Sequence, residues 1–522
     1  MNALTKTPRK LRVAIIGTGM AGILAAIRLH EGGRHEVTVY EKADRVGGTW
    51  RENTYPGLNC DVPAHAYTYS FAPNPDWSSF LAPGPEIQNY FEAVVSRHDI
   101  SSLIRFNQEV KSCVWRDGRW RIETVHGLKD EADVVIAATG VLHHISVPQI
   151  DGLESFAGAK FHTARWDHSV PLDGKRVGII GNGSTGVQIV SALAGRASHV
   201  THIQRTPQWI MPMPNDPYTD EQRAAFRKDP ALIDHIRYGE WYTTMVRRFT
   251  EAIVDHQSAQ MHEIEAIVRN NLEQSIKDPV LREKLRPDYR AACKRLIYSP
   301  NYYQMVQRPD VEVVVGRIAR IEPEGVRMQD GSLHALDVLA LATGFKAHRY
   351  MRPMAVQGRD GADLDVFWAR HATSYLGISM PGFPNFFMLN GPSGPVGNFS
   401  LIDIAERQWG YIDQLIATLE SGRCREISVN AALMNDFDQR RIAAAKKTVF
   451  ATGCSSWYLD ADGVPSSWPW SYDAFAEQTA APRFEEYELV GRGLGRLQIR
   501  RGARFGSALR GPARVRTEAR RH

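Results

Sequence analysis

Two segments of the chain repeat one pattern of strand, glycine-rich turn, helix and strand. In the first, an apolar strand at 10–17 runs into a turn at 17–22; in the second, a strand at 175–181 runs into a turn at 181–186. Both turns read GxGxxG. The first glycine allows the tight turn, the second lets the backbone approach a pyrophosphate, and the third packs the helix against the strand. The pattern predicts two βαβ units of the type that binds dinucleotides.

Each unit is followed, further along the chain, by a hairpin-like stretch and a strand that ends in Ala-Thr-Gly, at 133–140 and 337–344. A lone GxGxxG is weak evidence, but two copies with matching later strands are strong evidence. Residues 216–299 have a charged, helix-like pattern instead, and Asp220 is the predicted N-cap of its first helix. The predicted fold class is α/β, with two Rossmann-like dinucleotide-binding domains and a helical insertion.

The domain boundaries are predicted from where these patterns begin and end. The tail of the chain holds ten arginines and one acidic residue, whereas the rest holds 53 basic and 57 acidic residues. Because a nucleic-acid-binding protein would carry its basic residues on a folded face, this charge distribution argues against a nucleic-acid partner. The prediction is an FAD-binding domain at 1–145 and 386–490, an NADPH-binding domain at 146–215 and 300–385, the insertion at 216–299 and a disordered tail at 491–522.

Composition excludes several other classes of protein. Apolar residues make up 43% of the chain and charged residues 23%, as in ordinary globular proteins. No apolar run approaches the roughly 18 residues of a membrane span, and residues 1–12 do not form a secretory signal. The five cysteines include no closely spaced pair, so we expect five free thiols, no disulfide framework and no metal site. These features predict a cytoplasmic protein without a membrane partner.

The residue at the end of the second strand of each unit selects the nucleotide. In the first unit it is Glu41, whose carboxylate can accept hydrogen bonds from an unphosphorylated ribose and repels a 2′-phosphate. In the second unit the strand ends at Arg205 and Thr206, which suit a 2′-phosphate. We therefore predict FAD in the first domain and NADPH in the second, a pair between which hydride transfer makes chemical sense.

A flavin reduced in this way must pass its electrons to an acceptor. A flavoprotein that reduces disulfides would carry a CxxxxC pair near the first domain, and the sequence contains none. Dioxygen or an external electron carrier therefore remains as the acceptor.

Two further motifs narrow the choice. Residues 156–167, FAGAKFHTARWD, match the pattern FxGxxxHxxxW(P/D), and GGTW at 47–50 is followed by YPG at 55–57 and by Asp61. With both GxGxxG turns in order, the chain resembles the type I Baeyer–Villiger monooxygenases, which are class B flavoprotein monooxygenases, over roughly residues 10–490. The resemblance implies insertion of one oxygen atom of O2 next to a ketone carbonyl, through a C4a-peroxyflavin, to give an ester or lactone.

The same resemblance implies roles for particular residues. Arg295 would be the catalytic residue that stabilises negative charge over the flavin, and Asp61 would pair with it and hold it in place. Lys294 would contact the NADPH phosphate, and Trp457 the nicotinamide side of the pocket. Spacing alone leaves Arg295 open between a charge on a helix surface and a catalytic group.

The remaining predicted site residues follow from the motifs and from the resemblance. The family fingerprint consists of Phe156, Gly158, His162 and Trp166, of which His162 and Trp166 are interpreted as linker residues that couple the two domains. The full cofactor sets are Gly17, Gly19, Ala21, Gly22, Glu41, Gly48, Thr49, Trp50, Asp61, Tyr67 and Val110 for FAD, and Asn182, Gly183, Ser184, Thr185, Gly186, Arg205, Thr206, Lys294 and Trp457 for NADPH.

Other functions stay open on the sequence alone. A flavin-containing N- or S-monooxygenase of the same superfamily would share most of these motifs. A non-oxygenating flavin reductase, an NADPH oxidase or a non-enzymatic nucleotide-binding protein would share the two domains. The predicted partners are a small-molecule ketone and O2, and the predicted assembly is a monomer or a weak homodimer. Cyclic, aryl, steroid and linear ketones are not distinguished.

Truncation after Val490 tests the prediction that the tail is dispensable. Its composition cannot bury a core, so the shortened protein should keep the FAD content and the melting temperature of the full chain. Flavin absorbance and a thermal melt measure both quantities. Loss of soluble, FAD-loaded protein would show instead that the tail is part of the fold.

Overall fold

The computed structural model describes residues 9–395 and 399–491, except for the side chains of residues 240–242; apart from Gly491, the predicted tail lies outside this part of the chain. Its strands are β1 (Arg12–Ile16), β2 (Glu36–Tyr40), β3 (Ile104–Arg105), β4 (Val110–Arg116), β5 (Arg119–Thr124), β6 (Lys129–Ala132), β7 (Val134–Ala137), β8 (Ala159–His162), β9 (Arg176–Ile180), β10 (His199–Gln204), β11 (Ile210–Pro212), β12 (Ile297–Ser299), β13 (Val311–Val315), β14 (Ile318–Glu322), β15 (Gly325–Met328), β16 (Leu333–Ala335), β17 (Val338–Leu341), β18 (Ala355–Gln357), β19 (Phe386–Met388), β20 (Glu426–Val429) and β21 (Tyr487–Val490). Its helices are α1 (Met20–Gly32), α2 (Thr49–Glu52), α3 (Gly84–Arg97), α4 (Ser184–Leu193), α5 (Asp220–Lys228), α6 (Ala231–Tyr238), α7 (Glu240–Val254), α8 (Ala259–Ser275), α9 (Pro279–Lys284), α10 (Tyr302–Met305), α11 (Leu364–Phe367), α12 (Leu401–Glu420), α13 (Ala431–Ala445) and α14 (Tyr472–Gln478).

A five-stranded parallel sheet, in the order β19-β7-β1-β2-β3, forms the centre of the first domain. Its strands β1 and β7 read RVAII and VVIA, continuous apolar runs of the kind found in strands covered on both faces. Ile16, at the end of β1, lies opposite both Tyr40 and Ala137. The neighbouring strands therefore end together, and the glycine turn that follows β1 lies at their carboxyl edge.

The second domain repeats this arrangement in a parallel sheet of order β13-β10-β9-β17-β8. Ile180, at the end of β9, lies opposite Ile203 and Leu341. The second glycine turn therefore starts at the carboxyl edge of this sheet as well. The two βαβ units, and the α/β class with two Rossmann-like domains, are confirmed.

The long connection between β17 and β19 belongs structurally to the first domain. β18 pairs in parallel with β4, which with β5 and β6 forms an antiparallel layer of that domain. Met351, Met354 and Val356 pack in one apolar cluster with Cys113 and Trp120. On the basis of this pairing, we propose to move the boundary predicted at residue 386 to about residue 346, after β17.

The helical insertion leaves and re-enters the second domain at neighbouring points, because β11 and β12 pair in parallel at its two ends. Helices α5 to α9 lie between these strands. The N-cap of α5 is Thr219 and not the predicted Asp220. Thr219 Oγ1 accepts the backbone N–H of Gln222 at 3.2 Å, and Gln222 Oε1 accepts that of Thr219 at 2.8 Å. This reciprocal pair of hydrogen bonds, a capping box, makes Thr219 the N-cap in preference to Asp220 one residue later.

Among the described residues, no helix combines the length and the apolar character that a membrane crossing requires.

Candidate active site

A cavity of about 1200 Å³ lies between the two domains, and both glycine turns contribute to its wall. Of the predicted cofactor residues, all but two line this cavity. The two exceptions are Gly22 and Gly186, which pack against the backbone of the turns and do not face the cavity. A Cβ at Gly22 would lie 1.9 Å from the carbonyl oxygen of Gly17, and a Cβ at Gly186 would lie 2.0 Å from that of Gly181. Only glycine allows each helix to start this close to its strand.

The first turn has the form of a cradle for a pyrophosphate. α1 has Gly19 as its N-cap, with no side chain bonded to the first backbone N–H groups and no acidic residue in its first turn. A Cβ at Gly48 would lie 2.9 Å from Cα of Gly19, so the GGTW segment closes on the turn backbone to backbone. A helix N-terminus of this kind binds phosphate. The residues present therefore fit FAD, the dinucleotide predicted here.

Glu41 lies directly after β2, with its side chain almost fully buried. Its Oε2 accepts the backbone N–H of Thr18 at 2.9 Å and the Thr18 hydroxyl at 2.7 Å. Its Oε1 accepts the backbone N–H of Ala43 at 2.9 Å and Arg51 Nη1 at 3.1 Å. These four donors match the capacity of a carboxylate. A ribose hydroxyl would therefore take the place of the Thr18 hydroxyl, the donor that can rotate away.

The second turn carries an orphaned hydroxyl that fits a phosphate. Ser184 Oγ, at the first residue of α4, is buried and has no hydrogen-bond partner among the described residues. Gly183, the N-cap, has open space where a Cβ would lie. A buried hydroxyl normally has a hydrogen-bond partner. A phosphate oxygen bound at this helix N-terminus would supply that partner for Ser184.

The predicted 2′-phosphate site brings two cations together. Lys294 Nζ donates to Thr206 Oγ1 at 2.8 Å and lies 4.1 Å from the centre of the Tyr289 ring. Burial and then the charge of Arg205 lower the pKa of Lys294 from its usual value. The Arg205 side chain is exposed and lines the cavity. A bound phosphate would relieve the repulsion between the two cations.

Asp61 and Arg295 meet inside the cavity, as the resemblance implied. Arg295 Nη2 donates to Asp61 Oδ2 at 2.5 Å, and the two side chains are 28% and 19% exposed. Burial by itself would lower the pKa of Arg295, but Asp61 and the hydroxyl of Tyr458 outweigh it and raise this pKa above its usual value. The guanidinium therefore stays charged in a partly buried place.

The segment that carries Asp61 is fixed against α4 of the second domain. Tyr55 Oη donates to Gln188 Oε1 at 2.9 Å, and Gln188 Nε2 donates to the carbonyl of Asn59 at 3.0 Å. Gly57 has φ of 79°, and a Cβ there would lie 2.7 Å from the carbonyl oxygen of Gln188. The YPG motif is thus a contact between the domains, and it sets where Asp61 lies.

The fingerprint residues lie outside the cavity wall, at the connections between the domains. His162 Nδ1 accepts the backbone N–H of Ala164 at 3.1 Å, so its Nε2 donates to the carbonyl of Gly344 at 3.1 Å. A Cβ at Gly158 would lie 2.3 Å from the carbonyl oxygen of Asp337. Phe156 and Trp166 are buried, with the Trp166 ring 4.8 Å from that of Phe161. These contacts support the interpretation as linker residues.

The prediction of five free thiols is wrong. Cys293 and Cys454 form a disulfide with their Cα atoms 6.1 Å apart, while Cys60, Cys113 and Cys424 are free and buried. The paired cysteines are 161 positions apart in the sequence, so no spacing rule could have identified them. The disulfide joins the segment that leads into Arg295 to the loop that carries Trp457, whose side chain lines the cavity and is 37% exposed.

The sequence analysis did not name the individual residues of the apolar wall of the cavity. Met245, Val246 and Phe249 of α7 line it, together with Phe399 and with Leu401 at the start of α12. The apolar face of α7 is visible in the sequence, because these three positions fall on one side of a helix. The sequence does not show which element that face covers, since this depends on how the insertion folds back.

Two further residues that the sequence analysis did not name are histidines of the first linker, the connection between β7 and β8, which faces the second linker, the connection between β17 and β18. His143 and His144 line the cavity, and their Nε2 atoms contact the carbonyls of Tyr350 and Arg352 in the second linker. Burial, and then the charge of His144, lower the pKa of His143 to about 4. Neutral imidazoles here tie the linkers together without adding charge beside the cavity.

Comparison with known proteins gives consistent matches along the chain. The family model described as flavin-binding monooxygenase-like matches residues 10–227. An uncharacterized monooxygenase from Mycobacterium tuberculosis is 44% identical over 483 residues, covering 92% of this chain and 97% of that protein. A Baeyer–Villiger monooxygenase from Streptomyces coelicolor is 37% identical over 487 residues, covering 92% and 93%. The crystal structure of cyclohexanone monooxygenase from Rhodococcus sp. Phi1 bound to NADP+ is 31% identical, with a TM-score of 0.81 over 93% of this chain and 100% of that chain.

Arg205→Ala tests the 2′-phosphate site. Loss of a charged hydrogen bond costs about 1.5–3 kcal/mol, so kcat/KM for NADPH should fall by about 10- to 150-fold. The value for NADH, which lacks the phosphate, should stay near that of the wild type. Arg196→Ala is the control, since Arg196 is an exposed arginine of the same domain that pairs with Asp173 at 3.2 Å. An equal loss with both nucleotides would remove Arg205 from the phosphate site.

The disulfide is tested by counting thiols and by thermal melts. Alkylation of the denatured, unreduced protein should label Cys60, Cys113 and Cys424 only, and reduction should expose the other two. Because a long closed loop restricts the unfolded chain, Cys293→Ser and Cys454→Ser should each lower the melting temperature by a similar amount. Cys424→Ser is the control for loss of a buried thiol. Labelling of all five cysteines without reductant would contradict the pairing.

Proposed function

The chain belongs to the Baeyer–Villiger monooxygenases of the flavin-binding monooxygenase-like family, and we propose from that premise which of its residues carry out the reaction. Its cofactors are FAD and NADPH, and its activity is NADPH-dependent oxygenation of the Baeyer–Villiger type. The observation that carries the residue assignment is the Arg295–Asp61 pair, which lies in a cavity that also contains both dinucleotide cradles.

The two cofactors would be held by the residues around the two turns. The FAD pyrophosphate would lie at the N-terminus of α1 and its ribose against Glu41. NADPH would lie at the N-terminus of α4, with its 2′-phosphate between Arg205 and Lys294. When bound, the flavin accepts hydride from NADPH and supplies the oxygen atom, taken from O2, that is inserted into the substrate.

Arg295 would act on the charge that develops as the ketone reacts. A guanidinium remains charged and offers fixed donors, so it stabilises negative charge on the carbonyl oxygen of the substrate. Asp61 orients this guanidinium through the hydrogen bond of 2.5 Å. Because Asp61 is itself held against α4, closure of the two domains on each other keeps the pair in place.

The ketone would lie against the apolar wall of the cavity. Met245, Val246 and Phe249 offer no hydrogen-bonding group, so they favour a ketone with apolar substituents and exclude water from the reacting carbonyl. Oxygenation of nitrogen or sulfur compounds is the alternative that shares the cofactors. The placement of Arg295 favours the ketone, because only that reaction produces an oxyanion on the substrate itself.

Assembly and location are proposals as well. We propose a monomer or weak homodimer, which light scattering coupled to gel filtration would measure. We also propose a cytoplasmic location, in which the buried thiols of Cys60, Cys113 and Cys424 would stay reduced. The disulfide removes one argument for that location, since such bonds are rare in reducing compartments. Cell fractionation of the native host would decide.

Arg295→Ala tests the proposed reaction. If Arg295 stabilises charge only after oxygen has been activated, the variant should still bind FAD and still be reduced by NADPH. Ester formation should fall by about 10²–10³-fold, the effect of removing one oxyanion donor, and the NADPH consumed should appear as hydrogen peroxide. NADPH, peroxide and ester are measured in parallel over a panel of ketones.

Arg290→Ala is the matched control. Arg290 lies on the same segment and pairs with Glu265 at 2.7 Å, away from the cavity, so its loss should leave the ester yield unchanged. An Arg295→Ala protein with wild-type ester yield would refute the role of Arg295. A wild-type protein that oxidises amines or sulfides but no ketone would favour the alternative activity.

A further inference from the structure

Strands β10 and β13 end side by side at the carboxyl edge of the second sheet. Val315, the last residue of β13, lies opposite Gln204, the last residue of β10. The backbone N–H of Gly316 donates to the carbonyl of Gln204 at 3.0 Å, so the two chains stay paired one residue beyond β13. Arg317 follows at once, and it therefore lies at the strand end next to the one that carries Arg205.

Arg317 differs from the arginines of the antiparallel hairpin that follows it. Arg320 on β14 and Arg327 on β15 both donate to Glu322, at 2.9 and 2.6 Å. Within the part of the chain that the structure describes, Arg317 has no ion pair and no side-chain hydrogen bond. Its side chain is exposed and lines the cavity. The guanidinium is thus available to a ligand bound there.

The order of the strands indicates which part of NADPH would reach Arg317. In the sheet order β13-β10-β9, strand β10 lies between the other two. The pyrophosphate is proposed to lie at the N-terminus of α4, which follows β9, and the 2′-phosphate at Arg205, which follows β10. The adenine is attached to the ribose that carries this phosphate, so it is the group that would lie over the end of β13.

We propose that Arg317 and Gln329 form the binding site for the adenine of NADPH. The inference deepens the proposed placement of NADPH and rests on it. A guanidinium is planar and charged, and it packs favourably against the face of an aromatic ring. Arg317 would therefore bind the face of the adenine, while Arg205 and Lys294 bind the 2′-phosphate.

Gln329 would bind the edge of the same base. Its backbone N–H donates to the carbonyl of Arg317 at 2.9 Å, so the two side chains start from neighbouring points of the backbone, and Gln329 also lines the cavity. A side-chain amide offers both donors and an acceptor, and the edge of adenine presents both as well. The pair would thus recognise the base, which the glycine turn and the phosphate-binding cations do not contact.

Arg317→Ala tests the contact with the base through the binding of NADP+ and NAD+ to the FAD-loaded protein, without any ketone. Both nucleotides contain adenine, so the Kd of both should rise by the same factor, about three- to tenfold for a lost cation–π contact. Arg205→Ala should raise the Kd of NADP+ alone. Isothermal titration calorimetry measures these values, with NAD+ titrated in competition with NADP+ where its binding is weak.

Two further variants separate a contact with the base from a contact with phosphate. Arg317→Tyr should keep most of the affinity for both nucleotides, because an aromatic ring also stacks on adenine but carries no charge. Gln329→Leu should raise the Kd of both nucleotides by about two- to tenfold, the effect of a lost hydrogen bond. FAD content and melting temperature should match the wild type in every variant, since both side chains are exposed.

Arg320→Ala is the matched control, because Arg320 is an exposed arginine of the adjoining hairpin that does not line the cavity, and its loss should leave both Kd values unchanged. An unchanged Kd in Arg317→Ala would overturn the inference. So would a loss confined to NADP+, or a loss in Arg317→Tyr as large as in Arg317→Ala, since either would indicate a contact with phosphate.

The proposed placement of NADPH is checked in the same titrations. If Arg205→Ala weakens NADP+ alone and Arg317→Ala changes nothing, the adenine site falls and the placement at the strand ends stands. If neither variant alters either Kd, the placement falls and the adenine site falls with it. Ester formation is not measured, so the result does not depend on which substrate the enzyme oxygenates.

Discussion

The close contact of backbone with backbone at the two glycine turns sets the geometry of the whole molecule. A side chain at Gly22 or at Gly186 would collide with the carbonyl oxygen that closes the preceding strand, at 1.9 and 2.0 Å. Without that contact neither helix could begin directly over the carboxyl edge of its sheet. Because both do, two helix N-termini face one cavity, and two phosphate-bearing ligands can lie within reach of each other.

The position of one domain on the other depends on a small number of short contacts. The YPG segment packs onto α4 through Gly57 and Tyr55, and the linkers are joined by the bridge between Ile145 and Phe345 and by the hydrogen bond from His162 to Gly344. The contacts named here do not involve Arg295 itself. They affect Arg295 indirectly. Asp61 lies shortly after the YPG segment, so the position of one domain on the other determines where the Asp61 carboxylate meets the guanidinium.

The sequence allowed prediction of those parts of the protein in which the signal is local. A GxGxxG turn, its strand and its helix lie within about 25 residues, and their glycines are required by the backbone itself. The disulfide and the pairing of β18 with β4 join distant segments through ordinary residues. Such contacts depend on how the insertion and the last third of the chain fold back, and no fixed spacing encodes them.

The strand ends would discriminate between the adenosine ends of the two dinucleotides, because the two backbone cradles are alike. If NADPH entered the first site, its 2′-phosphate would meet Glu41, a buried carboxylate held by Arg51 and three other hydrogen bonds. If FAD entered the second, its ribose would offer no anion to Arg205 and Lys294, and their mutual repulsion would persist. Each strand end would thus favour its own ligand and penalise the other, and that difference of affinities would assign the hydride acceptor to the first site and the hydride donor to the second.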